Sequence, residues 1–148
     1  MENLIKEIIK EAKALKDKYT DQVDALVNYA CIFCQSEEEQ KKFLEEAHQI
    51  GVIIKETETG PLFKISLETI AGKLQLLKIR KPDPTRPERG DADFTVSDYP
   101  SFKEKYLNKA GFSIIQKENF EMIELYEKGN NVRVYFSFPP LDKQLNLI

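Results

Sequence analysis

The sequence predicts an α+β fold in which two strand-helix-strand-strand-strand (βαβββ) modules form one curved mixed sheet with helices outside. Two observations support this fold class. The order of predicted elements repeats in the two halves of the chain, and each half closes with a strand that runs into proline. One such module leaves a sheet face bare, so two modules side by side are expected to bury more apolar surface. With 148 residues, the chain is expected to form a single domain over 1–148.

The N-terminal region, residues 1–27, is expected to contain two helices that precede the first module. Residues 2–18 have an apolar stripe at helical spacing, with Lys and Glu on the opposite face. A second, short helix is expected to begin near Thr20 or Asp21. The apolar positions of these two helices are Leu4, Ile5, Ile8, Ile9, Ala12 and Leu15 in the first, and Val23, Leu26 and Val27 in the second.

The first module spans residues 28–81. Ser36, followed three residues later by Glu39, predicts a capped helix that ends at Gly51. The apolar runs and turn signals on either side of this helix predict four strands, at residues 29–34, 52–54, 62–65 and 74–80.

A proline-rich linker, residues 82–90, separates the modules, because its three prolines exclude a helix or an inner strand. The second module spans residues 91–140, and residues 141–148 form a tail. Asp98 predicts a helix cap, with Pro100 in the first turn. The predicted strands of the second module are residues 91–97, 112–116, 120–127 and 132–138.

Composition and charge exclude several classes of function. The chain has 22 Lys and Arg against 25 Asp and Glu, so no basic excess favours nucleic acid. The arginines in and beside the linker, Arg80, Arg86 and Arg89, are expected to pair with carboxylates such as Asp91 and Asp93. No signal peptide or membrane-spanning run is visible, which predicts a cytoplasmic protein that does not bind membranes.

Histidine and cysteine are scarce, since the chain has one His and two Cys. A conventional zinc site is therefore nearly excluded. Cys31 and Cys34 form a CxxC motif inside a predicted strand, where residues three apart face opposite sides. We expect two buried or half-buried free cysteines and no redox pair. His48 is expected on the surface, on the outer helix of the first module.

The paired modules resemble the vicinal oxygen chelate superfamily, which includes glyoxalase I and the bleomycin-resistance proteins. The resemblance covers residues from about 28 to 140. Within the superfamily, the N-terminal helices and the proline-rich linker are most similar to YecM-type bacterial proteins. The resemblance implies a cleft on one face of the sheet and a homodimer as one mode of assembly.

The superfamily holds metal ligands, mostly His and Glu, on the first and fourth strands of each module. By position, the resemblance places this chain's Asn28, Lys78 and Asp93 there. On the last strand, Arg133, Tyr135 and Ser137 are expected to face the cleft. A lysine repels a metal ion, so no conventional metal site or other cofactor is expected. Asp93 and Glu124 remain the carboxylate candidates for a divalent metal.

Two interpretations of the cleft stay open. In one, Lys and Arg side chains bind the anionic group of a small molecule while carboxylates and a tyrosine orient the remainder. In the other, the same charges pair with each other across a solvated sheet face. The residues expected to bind the ligand are Lys78, Arg80, Asp93, Glu124, Arg133 and Tyr135.

The expected function is that of a glyoxalase-like protein that binds a small anionic metabolite. No residue pattern identifies a catalytic group, so the sequence does not decide whether the protein is an enzyme. Two alternatives remain open. One is a divalent-metal-dependent lyase or isomerase that uses Asp93 and Glu124 as ligands. The other is a protein–protein interaction module that uses the N-terminal helix or an exposed sheet edge.

Overall fold

The computed structural model describes residues 1–147, which form eight strands and four helices. In chain order, the elements are α1 (Glu2–Tyr19), β1 (Leu26–Phe33), α2 (Glu37–Ile50), β2 (Val52–Thr57), β3 (Gly60–Thr69), β4 (Gly72–Arg80), β5 (Gly90–Thr95), α3 (Tyr99–Tyr106), β6 (Phe112–Gln116), β7 (Glu121–Leu125), β8 (Val132–Phe138) and α4 (Leu141–Gln144).

The eight strands form one mixed sheet in the order β2-β3-β4-β1-β5-β8-β7-β6. In each module the first strand pairs in parallel with the fourth, β1 with β4 and β5 with β8. The two first strands, β1 and β5, pair antiparallel and join the modules at the centre of the sheet. The predicted α+β fold class with two βαβββ modules is therefore confirmed.

The helices of both modules begin where the sequence predicts. The Ser36 side chain accepts a hydrogen bond from the Glu39 backbone N–H at 3.1 Å, which caps α2. The Asp98 side chain accepts one from the Ser101 backbone N–H at 3.2 Å, which caps α3 with a proline in its first turn. These bonds satisfy N–H groups that have no partner inside the helix.

One continuous core lies between helices α1, α2 and α3 and one face of the sheet. Helix α1 contributes its buried stripe of Ile5, Ile8, Ile9, Ala12 and Leu15, and packs across β1, β5 and β8. Alternate strand residues such as Ala92 and Phe94 enter this core. Their neighbours Asp91 and Asp93 lie on the opposite face, which we call the cleft face.

The predicted second N-terminal helix is wrong, because residues 26–33 form β1 and only a turn precedes them. Val27 pairs with Phe94 in β5, and its backbone N–H donates to the Ala71 carbonyl at 2.9 Å. Asp21, the expected cap, instead accepts hydrogen bonds from Tyr106 and Lys105, at 2.8 and 2.6 Å. Tertiary pairing with β5 thus overrides a weak helical pattern of only a few residues.

The linker is held to the modules by ion pairs, but not by those expected. Arg86 pairs with Glu88 inside the linker, at 2.6 Å. Arg89 binds both carboxylate oxygens of Glu39 on α2, at 2.6 and 2.8 Å. The expected pairing of these arginines with Asp91 and Asp93 is therefore wrong. Their guanidinium groups form ion pairs with Glu88 and Glu39 instead.

Replacing Arg89 with alanine is expected to lower the free energy of unfolding by about 1–2 kcal/mol. The bond to Glu39 is bidentate and half-buried, which makes it stronger than an exposed ion pair. Urea denaturation would measure the change. The matched control is Lys73→Ala, which removes a 3.9 Å pair with exposed Glu68 and should cost less than about 0.5 kcal/mol. Equal losses in the two variants would contradict the prediction.

Among the helices of residues 1–147, none combines the length and the apolar composition needed to cross a membrane.

Candidate ligand-binding cavity

A cavity of about 170 Å³ lies on the cleft face, where the two modules meet. Seven strands contribute to its wall, and the C-terminal segment around α4 adds a further part. Each strand contributes through a residue that points away from the helix-side core. The lining residues are Tyr29, Lys55, Thr57, Leu62, Lys78 and Asp93, together with Phe120, Met122, Ser137, Leu141, Gln144 and Leu145.

Lys78 supplies a half-buried positive charge to this cavity. Its ammonium group donates to the Thr59 hydroxyl at 2.8 Å, and no carboxylate in residues 1–147 forms an ion pair with it. Gly60 permits this approach of the β2–β3 turn, because its φ is +149° and a Cβ there would collide with the Ile79 carbonyl. Burial lowers the pKa of Lys78 from its ordinary value, as nearby Arg80 also does.

Asp93 supplies a buried carboxyl group at another part of the wall, with 3% of its surface exposed. One oxygen accepts the Ser137 backbone N–H at 3.2 Å, and the other accepts the Ser137 hydroxyl. Burial raises the pKa of Asp93 to about 6, although both bonds from Ser137 act in the opposite direction. Asp93 therefore ionises near neutral pH, inside a cavity that also contains a lysine.

Asp91 lies beside this cavity at the centre of the sheet, between Cys31 of β1 and Arg133 of β8 in the strand register. It is 7% exposed, and no hydrogen bond to its carboxyl group is present in residues 1–147. Burial, and next the charge of Asp93, raise the pKa of Asp91 to about 7, although Arg86, Arg80 and Lys78 lower it. Two carboxyl groups of raised pKa thus occupy neighbouring outward positions of β5.

The cysteines are free and buried, and they lie on different sides of the sheet. Cys34 belongs to the helix-side core, whereas Cys31 is paired in register with Lys78 and Asp91. Burial raises the pKa of both thiols, that of Cys34 to about 11, so each stays protonated at neutral pH. This arrangement agrees with the expectation of two buried cysteines that point to opposite sides of the sheet.

Arg133, Tyr135 and Glu124 do not line the cavity and are instead bonded to one another. Glu124 accepts from Arg133 at 3.2 Å and from the Tyr135 hydroxyl at 2.8 Å. The Arg133 Nε lies 3.1 Å from a carboxylate oxygen of Glu88, a linker residue that is only 4% exposed. These contacts give the three residues a structural role at the edge of the cleft. A ligand contact for them stays a prediction.

Arg80 also lies outside the cavity wall. Its guanidinium group lies 4.7 Å from the centroid of the Phe33 ring, and Arg86 lies 5.1 Å from the same ring. Arg80 pairs loosely with Asp83 at 3.4 Å, while its buried Nε has no hydrogen-bond partner among residues 1–147. Cation–π contact and charge therefore hold the linker against the first module.

The positions at which the superfamily binds metal do not fit a cation here. Asn28 lies at a bulge of β1, where its side-chain oxygen accepts the Asp142 backbone N–H at 3.3 Å. Lys78 adds a positive charge, and the carboxylates of Asp93 and Glu124 bind separate partners. Within residues 1–147, no group of three or more His, Cys, Asp or Glu side chains is arranged to hold a metal ion. His48, the only histidine, is exposed on α2.

Sequence reasoning missed the part that the C-terminal segment plays in this site. Leu141 and Leu145, four residues apart on and just after α4, both reach the cavity wall. The apolar pair at helical spacing after Pro140 is the signal that could have indicated a short amphipathic turn. Lys55 and Thr57 were missed as well, because the predicted second strand ended at residue 54.

Comparison with known proteins shows the fold. A solved structure titled "Structural Genomics, Protein EC4020" is similar to this chain at a TM-score of 0.68 and 10% identity, over 90% of this chain and 82% of that one. At this level of identity the likeness shows the fold alone. No family model matches the sequence, and no curated protein matches it.

A second solved structure is a glyoxalase/bleomycin resistance protein/dioxygenase superfamily member from Vibrio splendidus 12B01. It is 9% identical, with a TM-score of 0.43, over 76% of this chain and 97% of that one. This structural similarity is too low to identify a shared site. The observed order of two βαβββ modules in one sheet agrees with the fold that the sequence resemblance implies.

Proposed function

We propose that this chain is a member of the vicinal oxygen chelate superfamily, of the YecM type, that binds a small anionic molecule in the cleft-face cavity without a conventional metal site. The observation that carries the proposal is Lys78. Its ammonium group is half-buried in a largely apolar cavity, and no carboxylate of residues 1–147 forms an ion pair with it. A buried charge is costly unless it is paired, so an anion bound in this cavity would pair with Lys78 and offset that cost.

The neighbouring residues support the same proposal. Lys55 of β2 adds a second positive charge to the wall, and Thr57 adds a hydroxyl donor. The cavity wall near these lysines is otherwise apolar and includes Leu62. Water therefore competes weakly with the anion for the lysine ammonium groups. By contrast, the arginines of the cleft are already paired with Glu88, Glu124 and Asp83. Lys78 is therefore the residue on which anion affinity depends most.

Replacing Lys78 with methionine is expected to weaken binding of the anion about tenfold or more, because a charge-assisted hydrogen bond is lost. Thermal unfolding with a panel of acetate, hexanoate, benzoate, phosphate, sulfate and citrate would find the anion. Isothermal titration would then compare the variants. Lys41→Met is the matched control, because Lys41 is exposed on α2, away from the cavity.

The Lys41→Met variant should bind the selected anion as the wild type does, and Lys78→Arg should retain most of the affinity. If no anion of the panel binds, the proposed function is wrong. The same conclusion follows if Lys78→Met binds the anion as tightly as Lys41→Met.

A further inference from the structure

The cleft-face cavity has two chemically opposite ends. Lys55 and Lys78 lie on β2 and β4 of the first module, whereas Asp93 and Ser137 lie on β5 and β8 of the second. Strand β1 separates β4 from β5, and neighbouring strands are about 4.8 Å apart. The backbones that carry the lysine and the carboxylate are therefore about 10 Å apart. A ligand that fills the cavity meets a different charge at each end.

Apolar side chains separate the two ends. Leu62 and Met122 line the cavity from the sheet, and Leu141 and Leu145 line it from the C-terminal segment. A cavity of about 150 Å³ lined by apolar side chains holds a molecule the size of benzene. The volume of about 170 Å³ found here therefore suits a whole molecule of about six carbon atoms.

The lysine end matches one negative charge. Of the two lysines at this end, Lys78 is half-buried and Lys55 is exposed. One desolvated ammonium group compensates a single carboxylate, whereas a phosphate dianion would keep an unpaired charge in an apolar wall. A monocarboxylate fits this end best.

The Asp93 end matches a hydrogen-bond donor. Each Asp93 oxygen accepts one bond from Ser137, and an ionised carboxylate has about four lone-pair sites in all. Acceptor capacity therefore remains in a group that is almost fully buried. A hydroxyl or ammonium group can use it, whereas a second carboxylate would meet like charge.

We infer that the ligand is a short amphipathic monocarboxylate that carries a hydrogen-bond donor, hydroxyl or ammonium, at the far end of an apolar chain. This inference rests on the proposed function and names the ligand class for the same cavity. Lys78 binds the carboxylate, and Asp93, oriented by Ser137, accepts the bond from the far end. The leucines of the C-terminal segment pack on the chain between them.

Four probes that differ only in the terminal group test the inference: hexanoate, 6-hydroxyhexanoate, 6-aminohexanoate and adipate. Isothermal titration near pH 8 keeps Asp93 ionised, since its pKa is about 6. The hydroxy and amino acids are expected to bind about tenfold more tightly than hexanoate, because each gains a hydrogen bond to a charged group. Adipate is expected to bind about tenfold more weakly than hexanoate.

The Asp93→Asn variant identifies the end at which this discrimination arises. Relative to hexanoate binding by the same variant, it should remove the advantage of 6-aminohexanoate and the disadvantage of adipate. If this variant does not fold, the comparison of the four probes with the wild-type protein tests the inference by itself. Hexanoate binding within twofold of both donor probes, still dependent on Lys78, would overturn the inference and leave the proposed function intact. No binding of any of the four would also overturn it, and the wider anion panel then decides the proposed function separately.

Discussion

The Phe136→Ala variant is expected to unfold about 3–5 kcal/mol more easily than the wild type, the largest stability loss predicted here. Phe136 is completely buried in the middle of β8. Its ring centroid lies 4.5 Å from that of Phe102 on α3 and 6.5 Å from that of Phe94 on β5. Alanine would leave a cavity between β8, α3 and β5. The packed side chains of these elements cannot move far enough to fill it.

Phe138→Ala provides the matched control, because it makes the same chemical change two residues further along β8. Phe138 is 47% exposed and stacks on Tyr99 at 4.7 Å, so its loss should cost about 1 kcal/mol. Urea denaturation of both variants at equal protein concentration measures the difference. A loss below about 1.5 kcal/mol for Phe136→Ala would show that the helix-side core does not depend on this aromatic cluster.

The sequence predicted the fold well because its local signals agree with the global arrangement. The caps at Ser36 and Asp98 and the alternating strands all appear in the structure. The error at residues 21–27 has a physical cause. The helical pattern around Val27 is too short to compete with strand pairing between Val27 and Phe94 of β5. Strand pairing across the sheet cannot be deduced from local periodicity.

The cleft was predicted less completely. Strand alternation correctly indicates that Asp93, Arg133, Tyr135 and Ser137 face away from the helix-side core. It does not indicate which of these side chains bind each other. That choice depends on Glu88, a linker residue that comes within ion-pair distance of Arg86 and Arg133. The path of an irregular loop has no periodic signal, so this pairing could not be predicted.

The resulting cleft separates charged groups into two classes. The arginines pair with carboxylates outside the cavity wall, while Lys78 and Asp93 face a shared cavity without an ion pair to each other. Scarcity of histidine argued against metal chemistry from composition alone. The structure adds that two of the positions given by the resemblance, Lys78 and Asp93, line the cavity with opposite charges. Burial raises the pKa of Asp93 to about 6 and that of its strand neighbour Asp91 to about 7.

Replacing Asp91 with asparagine is expected to stabilise the protein by about 2–4 kcal/mol near pH 8 and to have little effect near pH 4. The pKa of Asp91 is raised to about 7 by burial, against about 3.9 in an unfolded chain. Between these values the folded protein keeps a proton that the unfolded chain has lost. Raising the pH through this window therefore lowers stability, and the loss is complete above about pH 7.

Asparagine removes this dependence at small cost, since no hydrogen bond to the Asp91 carboxyl group is present in residues 1–147 to be lost. The groups that face Asp91 are Tyr29 and Cys31 of β1, Lys78 and Arg80 of β4, Arg86 of the linker, Asp93 of its own strand, and Arg133 and Tyr135 of β8. The cations among them favour the charged form, yet the loss of hydration on burial has the larger effect on the pKa of Asp91. The variant therefore loses some attraction to Lys78, Arg80 and Arg86 while avoiding the larger cost of a buried charge.

Urea denaturation of the wild type and Asp91→Asn at a series of pH values from about 4 to 8 measures the difference directly. Carboxylates of lowered pKa, such as Asp17 and Glu39, change stability in the opposite direction but do so equally in both proteins. Asp24→Asn, which removes an exposed carboxylate, controls for the change in net charge. A difference between wild type and Asp91→Asn that stays constant across the series would mean that Asp91 keeps its ordinary pKa in the folded protein. The cations of β4 and the linker would then balance the effect of its burial, and the cleft would hold a negative charge at its centre at neutral pH.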